Sequence, residues 1–270
     1  MIIDEKYIEQ LSYSDFVGLI NQWNVLPGAY STLSRWTMYS NLNKNSYILE
    51  MGCTTGFSSR EIAVLSGCNG IGIDISKQAI KMAIYNKEQY TPKVNIKYLC
   101  CDAYKYKSKK TFSHIIIGAA LKFFPDPNEM LKKCLSLLTD YGYILASPFY
   151  VTKKIPGGLI QKAQNIFNIT PTNESYKEIM SLYKGLEIVY EDRNNIIPET
   201  EEELNHYCSF TTEGACNILK ITDNKIEQAI YDRLYSIKKM SNELRPYQNY
   251  TVLVLRFRKK IFPGRFVELF

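Results

Sequence analysis

Apolar and polar positions along the chain form two kinds of segment, short apolar runs and longer stretches with one apolar face. The apolar runs predict seven buried strands, at residues 47–50, 70–74, 94–100, 114–118, 143–147, 186–191 and 251–257. The longer stretches predict helices at residues 15–23, 31–40, 58–65, 77–89, 129–138, 199–208 and 223–244. Apolar strands that alternate with helices are typical of a parallel sheet covered on both faces. The pattern therefore predicts an α/β fold with a seven-stranded, mostly parallel sheet.

The same pattern divides the chain into three stretches. Residues 1–45 predict helices, which we expect to form an N-terminal cap. Residues 46–150 contain the regular alternation of strands and helices and form the predicted core. Residues 151–270 complete the sheet in one structural domain with this core and carry insertions on the side where a substrate would bind. Within them, 151–183 is irregular and 261–270 is an apolar tail with no assigned element.

The charge of the chain is mildly basic and scattered. Lys and Arg number 33 against 27 Asp and Glu, which gives a net charge of +6. The densest basic runs, 105–110 and 256–260, are short compared with the arms that bind nucleic acids. Binding to nucleic acid is therefore not expected.

The sequence shows no pattern for membrane insertion or for a disulfide framework. Its acidic start, Ile3-Asp4-Glu5, lacks the basic and apolar regions of a secretory signal. No apolar stretch approaches the ~18 residues that span a bilayer. The seven cysteines are odd in number and contain no CxxC pair, which argues against disulfides and zinc knuckles. We therefore expect a soluble, cytoplasmic protein.

Polar features follow the first three predicted strands. The first strand runs into the turn Glu50–Gly56, in which Gly52 and Gly56 allow the backbone to turn sharply and lie close to a ligand. The helix that follows points free N–H groups at the same place. Asp74 ends the second strand, where a carboxylate suits hydrogen bonding to ribose hydroxyls, and Asp102 follows the third. Together these features predict a nucleoside pocket at the carboxyl edge of the sheet.

These residues resemble the class I S-adenosylmethionine-dependent methyltransferase family, which has a Rossmann-like sheet. The family's first motif, an acid followed by Gly-x-Gly-x-Gly, is matched by Glu50–Gly56 with Thr54 in place of the middle glycine. Asp74 matches the family's ribose-binding acid, and Asp102 matches its adenine-contacting acid. The helices before the first strand resemble the caps of small-molecule members.

The resemblance covers residues 45–150 well and residues 185–258 loosely, and it implies S-adenosylmethionine as the cofactor. The residues implied to bind it are Glu50, Gly52, Cys53, Thr54, Gly56, Asp74, Ile75, Asp102, Ala103, Gly118 and Leu121. In this set Glu50 would lie near the methionine ammonium group. Because a β-branched residue such as Thr54 disfavours a positive φ, we expect a slightly wider turn.

The predicted function is transfer of the cofactor's methyl group to an O, N or C atom of a small molecule or a peptide-like substrate. The candidates on the substrate side are Trp23, Tyr30, Lys122 and Tyr150. Aromatic rings there would form an apolar lid against the sulfonium, and the lysine would meet an anionic substrate. Cap packing and a solvated lysine are the alternative interpretations. No cluster of acids follows the fourth strand, so no metal is expected.

Two histidines are present, His114 and His206. His114 begins a strand at the edge remote from the predicted pocket, which favours a structural role. His206 lies on a predicted helix and is a weak candidate for a general base, since its pKa is near neutrality. An exposed or core histidine is the alternative.

Three other functions are compatible with parts of the pattern. The first is methylation of RNA or protein, and the second is a non-catalytic subunit that binds the cofactor or a partner. The third is a nicotinamide oxidoreductase, whose Gly-x-Gly-x-x-Gly motif would place its last glycine where this chain has Phe57. That residue argues against the third alternative.

Overall fold

A computed structural model describes residues 3–260, within which it contains ten α-helices and eight strands. The helices are α1 Glu5–Gln10, α2 Tyr13–Leu19, α3 Ala29–Tyr39, α4 Phe57–Ser66, α5 Lys77–Tyr90, α6 Pro127–Leu137, α7 Gly157–Phe167, α8 Tyr176–Ser181, α9 Glu201–Leu219 and α10 Asn224–Leu244. The strands are β1 Tyr47–Met51, β2 Asn69–Asp74, β3 Ile96–Cys100, β4 Phe112–Gly118, β5 Leu138–Ala146, β6 Phe149–Val151, β7 Glu187–Asn195 and β8 Gln248–Arg256. Two short 3-10 helices cover Leu121–Phe123 and Arg245–Tyr247. The apolar tail 261–270 lies outside the described residues.

The strands form one mixed sheet that confirms the predicted α/β class. Its order is β3-β2-β1-β4-β5-β8, with β7 on the far side of β8. The strands β1 to β5 are parallel, and β8 is antiparallel to β5, β6 and β7. The described residues contain one strand more than the seven expected, because β6 pairs with β8 on the same side as β5. Pro148, which lacks an N–H, separates the two segments.

Buried apolar side chains within residues 3–260 form three clusters. One lies between the sheet and the helices α6 and α8. A second lies on the opposite face, where α3, α4 and α5 pack. The third joins α1 and α2 to α7, α9 and α10. The first two helices, α1 and α2, therefore pack with helices that come more than a hundred residues later.

The cap touches the sheet layer through a close contact between α2 and α5. A Cβ added to Gly18 would lie 2.3 Å from the backbone nitrogen of Ala79, so only glycine lets the two helices approach this far. The Ser76 hydroxyl, which caps α5, donates to Asp15 Oδ1 at 2.6 Å. On the other side of the cap, the guanidinium of Arg233 donates to the Leu11 carbonyl at 2.6 Å. None of the helices among residues 3–260 is long and apolar enough to cross a bilayer.

Three helical segments differ from the expectation. The helix expected over residues 15–23 ends at Leu19, because Asn21 takes a left-handed conformation with φ of 50°. The irregular stretch 151–183 contains α7 and α8. The helix expected to end at residue 208 continues to Leu219.

Candidate functional site

The turn after β1 has a left-handed backbone at three of its residues. The φ angles are 72° at Gly52, 45° at Thr54 and 79° at Gly56. A Cβ at Gly56 would lie 2.6 Å from the Tyr98 hydroxyl, which itself donates to the Gly56 carbonyl at 3.0 Å. Glycine is therefore needed there for both backbone conformation and space.

Thr54 adopts the conformation that a glycine would adopt at the middle position of the motif. A positive φ is costly for a β-branched residue, on the order of 1–2 kcal/mol. The Thr54 N–H donates to Asp74 Oδ2 at 2.9 Å, which opposes this cost. The carboxylate at the end of β2 thus holds the turn after β1 in place.

Asp74 is 7% exposed and accepts from two backbone groups, Thr54 N–H and Ser76 N–H, each at 2.9 Å. Burial raises its pKa, while these two hydrogen bonds oppose the rise. The cap of α5 is the Ser76 side chain, which accepts from Ala79 N–H. Asp74 is therefore not the side-chain cap of α5, and its remaining lone pairs can serve a ligand.

Glu50 is 5% exposed and is directed at the start of α4. Its Oε2 accepts from Ser59 N–H at 3.0 Å. Burial raises its pKa to about 7, and hydrogen bonds from Ser59 and Ser58 limit the rise. The carboxylate expected near the cofactor's ammonium group is therefore engaged with a helix terminus.

The end of β3 is more open than the end of β2. Asp102 has a side chain 34% exposed, and its Oδ1 accepts from Tyr104 N–H at 2.9 Å. Ala103 is buried beside it. Ile75 is 72% exposed and follows Asp74 directly. These residues leave an apolar and acidic surface next to the buried carboxylate.

The loop after β4 lies across from the turn after β1. A Cβ at Gly52 would lie 3.7 Å from the Ala120 side chain, so the two loops are separated by a narrow space. Gly118 has a φ of 50° and would place a Cβ in open space, while Leu121 is buried. Cys53 is buried in the cluster beneath the turn. The predicted residues of β1, β2, β3 and β4 thus surround the carboxyl edge of the sheet.

Residues of the N-terminal segment also hold the turn, and the sequence patterns did not point to them. The Thr55 hydroxyl donates to the Gln22 carbonyl at 2.9 Å. Asn86 Nδ2 donates to the Thr55 carbonyl at 3.1 Å and to Asn21 Oδ1 at 2.8 Å. These bonds join positions 31 to 65 residues apart, which no local motif reveals.

Two of the substrate-side candidates pack on α4. The ring of Trp23 lies 4.7 Å from the Arg60 guanidinium and 6.2 Å from the Phe57 ring. Tyr30 packs edge-on against Phe57 and donates to Glu61 at 3.2 Å. Arg60 is fully buried, and its Nε donates to Glu61 at 3.0 Å. Trp23 and Tyr30 therefore attach the N-terminal segment to α4, which matches the cap-packing alternative.

The other two candidates lie beyond β4 and β5. Lys122 Nζ forms an ion pair with Glu174 at 2.5 Å, and its side chain remains 36% exposed. Tyr150 is 6% exposed and packs edge-on against Tyr176 in the cluster between the sheet and α8.

The two histidines have different surroundings. His114 is 3% exposed, with its Nε2 3.0 Å from the Ser40 carbonyl and its Nδ1 2.8 Å from the Ser113 hydroxyl. Burial lowers its pKa to about 4. His206 is exposed on α9, on a different face from the buried Leu204 and Cys208, and lines a shallow cavity of about 610 Å³ on the outer side of this helix. The structure does not bring His206 to the turn.

Metal ligands are not grouped in the part of the chain that the structure describes. Residues 3–260 contain no set of three or more His, Cys, Asp or Glu side chains placed to hold an ion. All seven cysteines lie in this part and are free thiols.

Comparison with protein families finds a match to a model described as "Methyltransferase domain", which covers residues 42–202. Among curated proteins, a ubiquinone biosynthesis O-methyltransferase of Coxiella burnetii is 30% identical over 129 residues, which are 47% of this chain and 54% of that protein. The chain thus spans about half the length of the relatives it matches.

Solved structures share the fold over most of the chain. The crystal structure of MccD protein superposes with a TM-score of 0.70 and 26% identity, covering 87% of this chain and 100% of that one. A S-adenosylmethionine-dependent methyltransferase of Geobacter sulfurreducens, crystallised with S-adenosyl-L-homocysteine, superposes with a TM-score of 0.67 and 16% identity, covering 90% and 97%.

Proposed function

The chain belongs to the methyltransferase domain family, and on this basis we propose that it transfers the methyl group of S-adenosylmethionine to a small molecule. The family predicted from the sequence is thereby confirmed, whereas the reaction and its substrate are proposals. The curated relatives named as methyltransferases of ubiquinone biosynthesis support an acceptor of small size.

The observation that carries the proposal is the position of Asp74. Its buried carboxylate lies where β2 ends and is tied to the turn after β1 through Thr54 N–H. A carboxylate at this place suits the two ribose hydroxyls of a nucleoside. The open space beside Gly118 would admit a ligand along the same edge. The residues present therefore fit the cofactor.

In the proposed complex the chain's residues bind and orient, and they exclude water. Asp74 would accept hydrogen bonds from the ribose, and Asp102 would meet the adenine amine beside Ala103. When S-adenosylmethionine is bound, its sulfonium supplies an already activated methyl group. The helices α1, α2, α7, α9 and α10, which pack together, would cover this edge and hold an acceptor in line with the methyl group. Neither histidine is assigned a proton-transfer role.

The cellular location and the class of acceptor are also part of the proposal. The free thiols of the seven cysteines are typical of a reducing compartment, which supports a cytoplasmic location. The mild net charge of +6 supports a small-molecule or peptide-like acceptor over a nucleic acid. Subcellular fractionation would test the location.

The proposal is tested by measuring equilibrium binding of S-adenosylmethionine and of NAD by calorimetry. We expect the wild-type chain to bind the sulfonium cofactor and not NAD. Asp74→Ala should weaken this binding by about 100-fold, because it removes hydrogen bonds to a charged acceptor. Asp232→Ala, which removes an exposed carboxylate on α10, serves as the control and should have no effect. Failure of the wild type to bind S-adenosylmethionine, or equal binding by Asp74→Ala, would contradict the proposal.

A further inference from the structure

Arg60 on α4 is a fully buried cation that is held mainly by aromatic rings. Its Nε donates to Glu61, but neither Nη atom has a hydrogen-bond partner among the described residues. The guanidinium instead lies 4.7 Å from the centre of the Trp23 ring and 6.0 Å from that of Tyr90. Ring faces attract a cation, and they do so most strongly where water is excluded. The two rings therefore supply the stabilisation that hydrogen-bond acceptors usually give to a buried guanidinium.

The Trp23 ring belongs to an irregular segment, residues 21–28, which we call the strap. The strap joins α2 to α3 without a helix or strand of its own. Left-handed residues mark its two ends, with φ of 50° at Asn21 and 78° at Gly28. Trp23 also meets the Tyr90 ring edge-on at 5.3 Å. Because the strap lacks regular secondary structure, its position depends on side-chain contacts of this kind.

The strap in turn holds the turn after β1. The Gln22 carbonyl accepts from the Thr55 hydroxyl at 2.9 Å. Asn21 exchanges hydrogen bonds with Asn86, which also donates to the Thr55 carbonyl at 3.1 Å. Arg60 is thus connected to this turn by two routes. One runs directly along α4, where Arg60 N–H donates to the Gly56 carbonyl at 3.2 Å, and the other runs through the strap.

We propose that Arg60 is a positioning residue for cofactor binding, which fixes the turn after β1 through Trp23 and the strap. This inference rests on the proposed function, because the turn belongs to the proposed cofactor site. Without the guanidinium, the strap would spend part of its time away from Thr55. Only the fraction of molecules with the turn held in place binds at full affinity, so the apparent dissociation constant rises as that fraction falls. Arg60 acts through the strap and not by contact with the cofactor.

The test measures the dissociation constant of S-adenosylhomocysteine by calorimetry in two backgrounds. One is the wild type, and the other carries Thr55→Val and Asn21→Gly, which remove both side-chain ties between the strap and the turn. Valine keeps the size of Thr55, and glycine accepts the positive φ of Asn21. Arg60→Met and Arg60→Lys are made in each background. Arg35→Met, which removes a guanidinium of α3 that pairs with Asp192, is the matched control.

In the wild-type background, Arg60→Met should weaken S-adenosylhomocysteine binding on the order of 10-fold. Arg60→Lys keeps a cation beside the rings and should weaken it by less than about threefold. In the background without the two ties, Arg60→Met should change the affinity by less than about twofold, because the strap no longer acts on the turn. Urea unfolding without ligand should show a similar loss of stability from Arg60→Met in both backgrounds. Arg35→Met should leave the affinity unchanged.

An equal loss of affinity in both backgrounds would show that Arg60 acts along α4 alone, and it would overturn the inference. Unchanged affinity of Arg60→Met in the wild-type background would also overturn it. Both results leave the proposed function intact, whereas a wild-type chain that does not bind S-adenosylhomocysteine would overturn both. If Arg60→Met does not fold, Trp23→Leu removes the same contact from the strap side, at a half-buried position, and allows the same comparison.

Discussion

Glu50 and His114 lie on neighbouring strands, two positions apart in register with Glu50 nearer the carboxyl edge, and both are nearly fully buried. His114 pairs with Ile48 near the start of β1, whereas Glu50 is close to the end of that strand. Burial disfavours the charged form of each, so it lowers the pKa of His114 to about 4 and raises that of Glu50 to about 7. Burial thus shifts the pKa of an acid and of a base in opposite directions.

The surroundings of these two groups differ in how completely they are hydrogen-bonded. Each ring nitrogen of His114 has a partner, in the Ser113 hydroxyl and the Ser40 carbonyl. Around the turn next to Glu50, the chain leaves Gln22 Oε1 without a donor among the described residues. The pairing of both ring nitrogens of His114 is typical of a structural site.

The largest expected effect is a pH dependence that tests this pair directly. The raised pKa of Glu50 contributes stability that is full below its ordinary value of 4.5 and is lost as pH rises to about 7. The lowered pKa of His114 contributes stability that is full above 6.5 and is lost as pH falls to about 4. Between pH 4.5 and 6.5 the two contributions oppose each other, each by about 1.4 kcal/mol per pH unit.

Single variants would separate the two contributions. Relative to wild type, Glu50→Gln should gain free energy of unfolding as pH rises from 4.5 to 6.5, and His114→Gln should lose it. Urea unfolding at several pH values measures both slopes. If the free energy of unfolding, relative to wild type, changed with pH in the same direction in both variants, the opposite pKa shifts of Glu50 and His114 would be contradicted. Affinity for S-adenosylhomocysteine should be unchanged in His114→Gln.

A second experiment sharpens the comparison through the cap, which contacts α5 near the carboxyl edge. Gly18→Ala should lower the free energy of unfolding by about 2 kcal/mol, because its Cβ would overlap the Ala79 backbone. Gly214→Ala on α9 is the matched control, since no atom lies within 4 Å of its added Cβ. This control should gain about 0.5–1 kcal/mol from helix propensity. A loss of similar size in both variants would contradict the close contact between α2 and α5.

The smallest expected effect concerns backbone strain at the turn. Thr54→Gly should raise the free energy of unfolding by about 1 kcal/mol, because glycine accepts the φ of 45° without a steric cost. Thr54→Val keeps the β-branch and should show no gain. Thermal unfolding of the three chains distinguishes them, and equal midpoints for glycine and valine would rule out strain at this position.

The sheet and its carboxyl edge were predictable because their signals are local. Apolar runs marked β1 to β5, and the turn Glu50–Gly56 and Asp74 each follow a strand directly in the sequence. The conformation of Thr54 was not predicted, since we expected a wider turn and the chain instead adopts a glycine-like φ. A hydrogen bond from Thr54 N–H to Asp74, twenty residues away, makes this possible.

The cap was less predictable because its contacts are distant in sequence. Gln22 meets Thr55 across 33 residues, and Arg233 meets Leu11 across 222. The helix α8, which packs on the sheet rather than in the cap, was also missed, although a local signal was present: the capping box in which Ser175 and Glu178 bind each other's backbone N–H groups. The substrate-side candidates Trp23 and Tyr30 contact Phe57 on α4, a packing contact that composition alone does not distinguish from a ligand pocket.

The place of β8 in the sheet has a consequence for the order in which the chain can fold during synthesis. The strand that emerges last from the ribosome among residues 3–260 lies between β5 and β7 and pairs with both. Until Gln248–Arg256 has been made, these two strands have unpaired edges that can associate with other chains. Likewise, α1 can pack against α10 only after α10 has been translated. Assembly of this molecule is therefore a late event, completed only when both ends of the described chain are present.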